Sequence, residues 1–281
     1  MVINKMKDKI KEQKPKICLT TFFDKNFEHI GKICLKGMRR YAEKYGYDII
    51  AYTKPLTTRP PAWNKIAIIR QLLNSQKDYD FVFWVDSDTI FMRFDKDIAK
   101  EISPNKDVYL TKFNAQGQDR PSTGVMLICN SNWSKQLLQV IWNKKQYIYN
   151  KLWENAALDD VLGYKHIIDR KPFKEFLLGI AHKLKIRNYI PKLKKMLSFK
   201  KLGFTQKSKN KLGFKNINKK IINNPKSKWL EKVKWLDSKW NALCYEPLPR
   251  NRIINHYPAM SIQERLKQMV ADVKLVNTFY F

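Results

Sequence analysis

From Pro15 onward the chain alternates short apolar runs with longer segments in which apolar residues return every three or four positions. The run PKICLTTFF predicts a first strand. EHIGKICLKGMRRYAEKYG predicts a helix, because Ile30, Ile33, Cys34, Met38, Tyr41, Ala42 and Tyr45 recur at helical spacing and Gly46 stands where a helix can close. YDIIAYT predicts a second strand, the Pro-rich TTRPPA a turn, WNKIAIIRQLLN a second helix and FVFWV a third strand. Strand, helix, strand, helix, strand is the order of a parallel sheet with crossover helices, and such sheets bind ligands beyond the carboxyl ends of their strands. Thr20, Thr21 and an acidic pair, Asp86 and Asp88, fall at those ends. Further on, KDVYLTKF and GVMLICN are strand-like on either side of a polar loop, NAQGQDRPST, and helices are expected over NWSKQLLQVIWNKK and WENAALDDVLGY.

The sharpest break in this pattern is FVFWVDSDTIFM, residues 81–92, where a buried strand runs into two carboxylates and returns to apolar side chains. If the strand continues through them, alternation points Asp86 and Asp88 the same way and Ser87 opposite, and two like charges held that close need a cation between them. If it does not, the acids cap a turn and need no ion. The apolar flanks favour a cleft floor, where unpartnered charge is costly.

Composition narrows the class. A chain of 281 residues with 44% hydrophobic and 13% aromatic side chains supplies the core of one large α/β domain and excludes general disorder. The net charge of +30 attracts phosphates on nucleotides, nucleic acid or anionic lipid without choosing among them. Cys18, Cys34, Cys129 and Cys244 lie in apolar runs with no CxxC pair, as buried thiols of a reducing compartment do. The lysine-rich start MVINKMKDKIKEQKPK has no apolar signal core, and no uninterrupted apolar run is long enough to span a membrane.

Charge is concentrated in one segment. Residues 170–234 hold 21 Lys or Arg against two acids, Glu175 and Glu231. This divides the chain into a main domain, residues 1–169 and 235–281, and a basic insertion at 170–234. Its first part, FKEFLLGIAHKLKIRNYIPKLKKML, sets Phe176, Leu177, Ile180 and Leu184 at helical spacing among lysines, the pattern of a helix lying in a lipid headgroup layer. A solvated lysine-rich loop is the other reading, given the Lys/Asn/Ser bias of residues 205–228.

Five blocks, AWNKIAIIRQLL, FWVDSDTIFM, STGVMLICNSNWSKQLLQVIW, WENAALDDVL and INHYPAM, occur in an order that resembles the GT-A nucleotide-sugar glycosyltransferases. The resemblance is closest to family 34, the galactosyl- and xylosyltransferases of yeast mannan and plant xyloglucan synthesis, and weaker to family 8. It implies a single Rossmann-like α/β domain with a mixed, mainly parallel sheet. It implies Mn²⁺ or Mg²⁺ held by Asp86, Asp88 and His256 against the diphosphate of a nucleotide sugar, a UDP-hexose carrying galactose or glucose, with imidazole favouring Mn²⁺. Lys65, with Arg70, would steady phosphate or the donor sugar. Thr20 and Thr21 would lie near base and ribose, Ser87 between the acids, and Ser122, Thr123 and Gly124 where the donor sugar passes close to backbone. Asn155 is expected at the sugar's reacting face and Glu154 at its hydroxyls, with Asp159 and Asp160 as rivals for the catalytic role; configuration would be retained.

Two features depart from the family. Its glycine and phosphate-binding lysine after the late histidine are replaced by YPAMSIQERLK, leaving Arg265 or Lys267 as stand-ins, and its membrane anchor is missing. The expectation is an enzyme peripheral on the cytoplasmic face of the membrane, held to anionic lipid by residues 170–234, with a lipid-linked saccharide acceptor. A basic nucleic-acid-binding protein is the rival class. It would need aromatics interleaved with cations on one surface, whereas the aromatics here fall in strand and helix cores, so no nucleic acid is expected.

Overall fold

The computed structural model describes residues 14–115, 117–164 and 225–280. In chain order these form β1 (Ile17–Phe22), α1 (Glu28–Tyr45), β2 (Asp48–Tyr52), α2 (Asn64–Leu72), β3 (Phe81–Val85), β4 (Thr89–Phe91), β5 (Val108–Ala115), β6 (Gln118–Cys129), α3 (Asn132–Asn143), α4 (Trp153–Val161), β7 (Val233–Trp235), β8 (Ala242–Leu243), β9 (Ile254–His256) and α5 (Ile262–Tyr280). The main sheet has the order β2-β1-β3-β6-β5-β7, and β4-β9-β8 form a second, smaller sheet. Pairing is parallel between β1 and β2, β1 and β3, and β5 and β7, and antiparallel on both sides of β6, so β6 alone runs against the other five strands. The sheet is mixed and mainly parallel, as expected.

The central strands read as unbroken apolar runs because both faces of the sheet are covered. Ile17, Leu19, Phe81, Phe83 and Val85 meet Ile30, Cys34, Met38 and Tyr41 of α1 and Met269 and Val276 of α5 on one face. Cys18, Val82 and Trp84 meet Ile66 and Ile69 of α2, Leu137 and Ile141 of α3, and Ala157 and Val161 of α4 on the other. The α1 periodicity is that of its buried stripe, and Gly46 closes the helix at φ 62°, a left-handed conformation that costs glycine little. Among the described residues no helix is long and apolar enough to cross a membrane.

Three expectations change. The polar loop NAQGQDRPST is instead the tip of a hairpin, with Ala115 paired to Gln118 and Ser122 to Thr111, and the chain turns at Gly117. Its polar residues from Arg120 onward are buried and bonded inside the molecule, so their composition imitates a loop. Second, β3 ends at Val85 and Asp86–Asp88 form the turn into β4, so strand alternation does not govern the acids. Third, Val233–Trp235, at the end of the basic segment, is a strand of the main sheet beside β5. The rest of that segment up to residue 224, including the expected membrane-surface helix, lies outside the described residues.

Candidate active site

The acidic turn stands at the carboxyl end of β3, where both faces of the sheet deliver side chains to it. Backbone pins it on two sides: the Asp86 amide donates to Gly124 O of β6 at 2.8 Å, and the Tyr257 amide, just after β9, donates to Asp88 O at 3.0 Å. This brings a ligand atom of Asp86, Asp88 and His256 within 4.8 Å of one another. His256 Nε2 lies 3.3 Å from Asp88 Oδ1 and 3.8 Å from Asp86 Oδ2.

The other ring nitrogen fixes the histidine. Nδ1 is 2.8 Å from Asn241 Oδ1, and Asn241 Nδ2 donates to Thr111 Oγ1 at 3.0 Å and Ser122 Oγ at 2.9 Å. With the amide so oriented, Nδ1 carries the proton of the neutral ring and Nε2 presents a lone pair to two carboxylates. Three acceptors converging without a donor among them suit a divalent cation. Gly124 makes room for the ring: a Cβ there would come within 2.5 Å of His256 Cε1. The donor set therefore fits the expected metal.

Lys65, on the first turn of α2, is buried and spans the space between the acidic turn and α4. Its Nζ is 3.0 Å from Asp86 Oδ1, 3.0 Å from Glu154 Oε1 and 3.2 Å from Thr123 Oγ1. Burial opposes its charge, but Asp86 and Glu154 outweigh burial and hold the ammonium above its ordinary pKa. Trp84 Nε1 donates to Asp86 Oδ1 at 2.7 Å. Burial would raise the Asp88 carboxyl, yet Arg265 beside it and the His256 ring, when that ring carries both protons and no ion takes Nε2, keep it below the ordinary range. For Glu154 burial prevails over Lys65 and pushes the carboxyl up; its Oε2 is buried and has no hydrogen-bond partner among the described residues. Asn155 Oδ1 accepts from the Thr123 amide and hydroxyl, both at 3.0 Å, and Nδ2 donates to Pro121 O at 3.1 Å, so the amide is locked onto β6.

Of the residues named from sequence, Lys65, Asp86, Asp88, Ser122, Thr123, Gly124, Glu154, Asn155 and His256 are linked in this one constellation. Ser87 is buried within the turn. Thr20 bonds Ile50 O, and the buried Thr21 hydroxyl has no partner among the described residues. Asp160 pairs with Lys144 at 2.8 Å, six residues along the helix from Glu154 and on another face. Asp159 pairs with the buried Arg120 at 2.6 Å, and Arg70 bonds Gln139 of α3. Lys267 is exposed, whereas Arg265 reaches the turn with Nε 3.3 Å from Asp88 Oδ2. Asn241, Trp84 and Thr111 belong to the site without having been singled out from the sequence; the tripeptide Lys239-Trp240-Asn241, ahead of the late histidine, carries Asn241. A groove of about 660 Å³ runs along α1, lined by Glu28, Lys32, Leu35, Lys36 and Arg39 with Phe23, Asp24 and Thr53 at its strand end, and none of the residues of the constellation lines it.

The architecture matches that of a glycosyltransferase involved in the glycosylation of the major capsid of PBCV-1, at a TM-score of 0.52 and 16% identity over 92% of this chain and 100% of that one. Residues 13–110 match the model of the galactosyl transferase GMA12/MNN10 family. Over residues 13–110 the chain resembles that family, and its fold is that of the GT-A glycosyltransferases. It is 26% identical over 160 residues to the probable alpha-1,6-mannosyltransferase MNN10 of Saccharomyces cerevisiae, 45% of this chain and 40% of that protein. To xyloglucan 6-xylosyltransferase 1 of Arabidopsis thaliana it is 31% identical over 111 residues, 37% of this chain and 24% of that protein. The matches span less than half the length of these relatives. The part of this GMA12/MNN10-like chain that the family model matches holds Lys65, Asp86 and Asp88, while Glu154, Asn241 and His256 come from beyond it.

Proposed function

We propose that the chain is a glycosyltransferase that moves a hexose from a nucleotide diphosphate sugar, UDP-linked galactose or glucose, to a saccharide acceptor with retention of configuration. The observation that carries this reading is the meeting of Asp86, Asp88 and His256 beside Lys65 and Glu154 at the carboxyl end of β3. Asp86, Asp88 and His256 would hold Mn²⁺, or less suitably Mg²⁺, which when bound supplies charge neutralisation at the leaving diphosphate. Lys65 adds a fixed positive charge at Asp86 without reorganisation. Glu154, with Oε1 engaged by Lys65 and Oε2 without a partner among the described residues, accepts from donor-sugar hydroxyls. Asn155, its amide locked by Thr123 and Pro121, presents a preoriented dipole to the reacting face.

The acceptor is proposed to be lipid-linked and the enzyme peripheral on the inner face of the membrane, which the cation density of residues 170–234 supports. A panel of nucleotide sugars incubated with Mn²⁺ tests the core reading. Hydrolysis of at least one, dependent on Mn²⁺ and abolished by chelation, is expected. No turnover and no Mn²⁺-dependent thermal shift with any nucleoside diphosphate, together with a shift by an oligonucleotide, would replace the enzyme with the nucleic-acid-binding alternative.

A further inference from the structure

Of the chain's eight tryptophans, all among the described residues, only Trp153 is exposed, at 42%. It is also held at φ 46°, in the left-handed region. Asp78, Asn105 and Asn251 share that region with short polar side chains suited to it, whereas a bulky side chain there is strained. Exposure of an indole and strain of its backbone both act against stability, and residues held this way cluster at functional sites. Local bonds impose the conformation. The Trp153 amide donates to Asn150 O at 3.1 Å and the Leu152 amide to Asn150 Oδ1 at 3.0 Å, while Leu152 O accepts the amides of Asn155 and Ala156 at 3.0 and 3.3 Å and starts α4. Leu152 packs against the core under this turn. Trp153 is left outside, with its ring on no other ring and no cation among the described residues and its indole N–H without an acceptor there.

The neighbours of Trp153 set what can lie on it. Glu154, the next residue, is buried, with Oε1 3.0 Å from Lys65 Nζ and Oε2 without a partner among the described residues. The Lys65 side of that pair carries an exposed apolar residue of its own: Leu56, 42% exposed, donates its amide to Asn64 Oδ1 at 2.7 Å. The Lys65–Glu154 pair is therefore bordered on both chain segments by an exposed apolar side chain, beside a carboxylate oxygen that lacks a donor. A pyranose matches this arrangement. Its C–H face is apolar and directs weakly positive hydrogens at the negative face of an indole, and its rim of hydroxyls supplies the donors. Because Glu154 is buried and Trp153 exposed, a sugar on the indole is the outer of two and belongs to the acceptor. We propose that Trp153 is the platform on which the acceptor saccharide stacks, its indole taking the apolar face of the pyranose that receives the hexose. This rests on the donor reading above and adds to it an acceptor subsite.

Transfer by the full chain from each nucleotide sugar of the panel to the methyl glycosides of glucose, galactose, mannose and xylose, to lactose and to cellobiose measures the subsite. Trp153→Ala should raise the KM for the acceptor on the order of tenfold or more, and Trp153→Phe, which keeps an aromatic face, should recover most of it. Calorimetry of UDP with Mn²⁺ should give the wild-type affinity in both variants, whereas a merely structural role would weaken nucleotide and acceptor together. Trp153→Gly adds a reading that needs no sugar. Glycine adopts φ 46° without strain and alanine does not, so Trp153→Gly should melt a few degrees above Trp153→Ala while binding the acceptor no better. It carries the test if circular dichroism shows Trp153→Ala unfolded. A folded Trp153→Ala or Trp153→Gly variant with the wild-type acceptor KM overturns the subsite while the donor reading stands. So does a wild type that hydrolyses its donor but transfers to no pyranose of the panel, or a loss confined to UDP affinity or to pelleting with anionic vesicles. Melting temperatures in the reverse order contradict the conformation on which the subsite stands. A wild type that turns over no nucleotide sugar removes the donor reading, and the subsite falls with it.

Discussion

At the scale of single residues, the site depends on small side chains that let larger ones meet. Gly124 is the clearest case, since the space a Cβ would need is occupied by the His256 ring. Its φ is ordinary, so Gly124→Ala leaves the strand backbone unstrained and pushes on the imidazole and on the Asn241 amide that holds it. Mn²⁺-dependent nucleotide affinity is expected to fall about tenfold or more, as when a group orienting a metal ligand is lost. Calorimetry together with a melting curve checks this: lower affinity at a near-wild-type melting temperature is the expected pair, and unchanged affinity contradicts the packing argument. Asp86 and Asp88 were legible as a pair because acids between apolar runs demand a partner. Their placement on a turn was not, because the partners that decide it, Gly124 O and the Tyr257 amide, are remote in sequence.

At the scale of elements, the strands and helices from β1 to β3 were legible because each buries a face whose period shows in the sequence. The first half of β6 was not. Arg120, Ser122 and Thr123 are polar, yet they are buried against Asp159, Asn241 and Asn155, contacts that no local window contains. The Arg120–Asp159 pair, 1% and 0% exposed, joins β6 to α4 and so holds Thr123 against Glu154 and Asn155. Burial pushes the Asp159 carboxyl up to about 7 against the pull of Arg120. The folded state therefore keeps a proton that the unfolded chain releases near its ordinary value of about 4, and this stabilisation, full below that value, is lost as pH rises through about 7. Asp159→Asn should remove that slope. Between about pH 5 and about pH 8 the melting temperature of wild type should fall further than that of the variant; parallel curves would contradict the shift.

At the scale of the whole molecule, a GT-A sheet carries a strongly basic chain of net charge +30, with the excess gathered at residues 170–234. The order of five motif blocks made the fold readable, because those blocks meet at the carboxyl end of β3 and the amino-terminal half of β6 that lies beside it. If the basic segment serves as a peripheral anchor, the intact protein should pellet with vesicles containing anionic lipid at low salt and detach as salt rises. Replacing residues 172–228 by a short linker should abolish this, since each cation near such a surface contributes on the order of 1 kcal/mol. Binding that survives the replacement would leave the segment without that role. The central claim is that Asp86, Asp88 and His256 form one site for a divalent ion and a nucleoside diphosphate, and it is tested most directly by calorimetric titration of UDP, with and without Mn²⁺, into wild type and Asp88→Asn. That substitution removes a ligand charge and no apolar packing, so the variant should melt close to wild type and lose the Mn²⁺-dependent part of its UDP affinity. A folded Asp88→Asn variant that binds UDP with Mn²⁺ as wild type does would contradict the shared site.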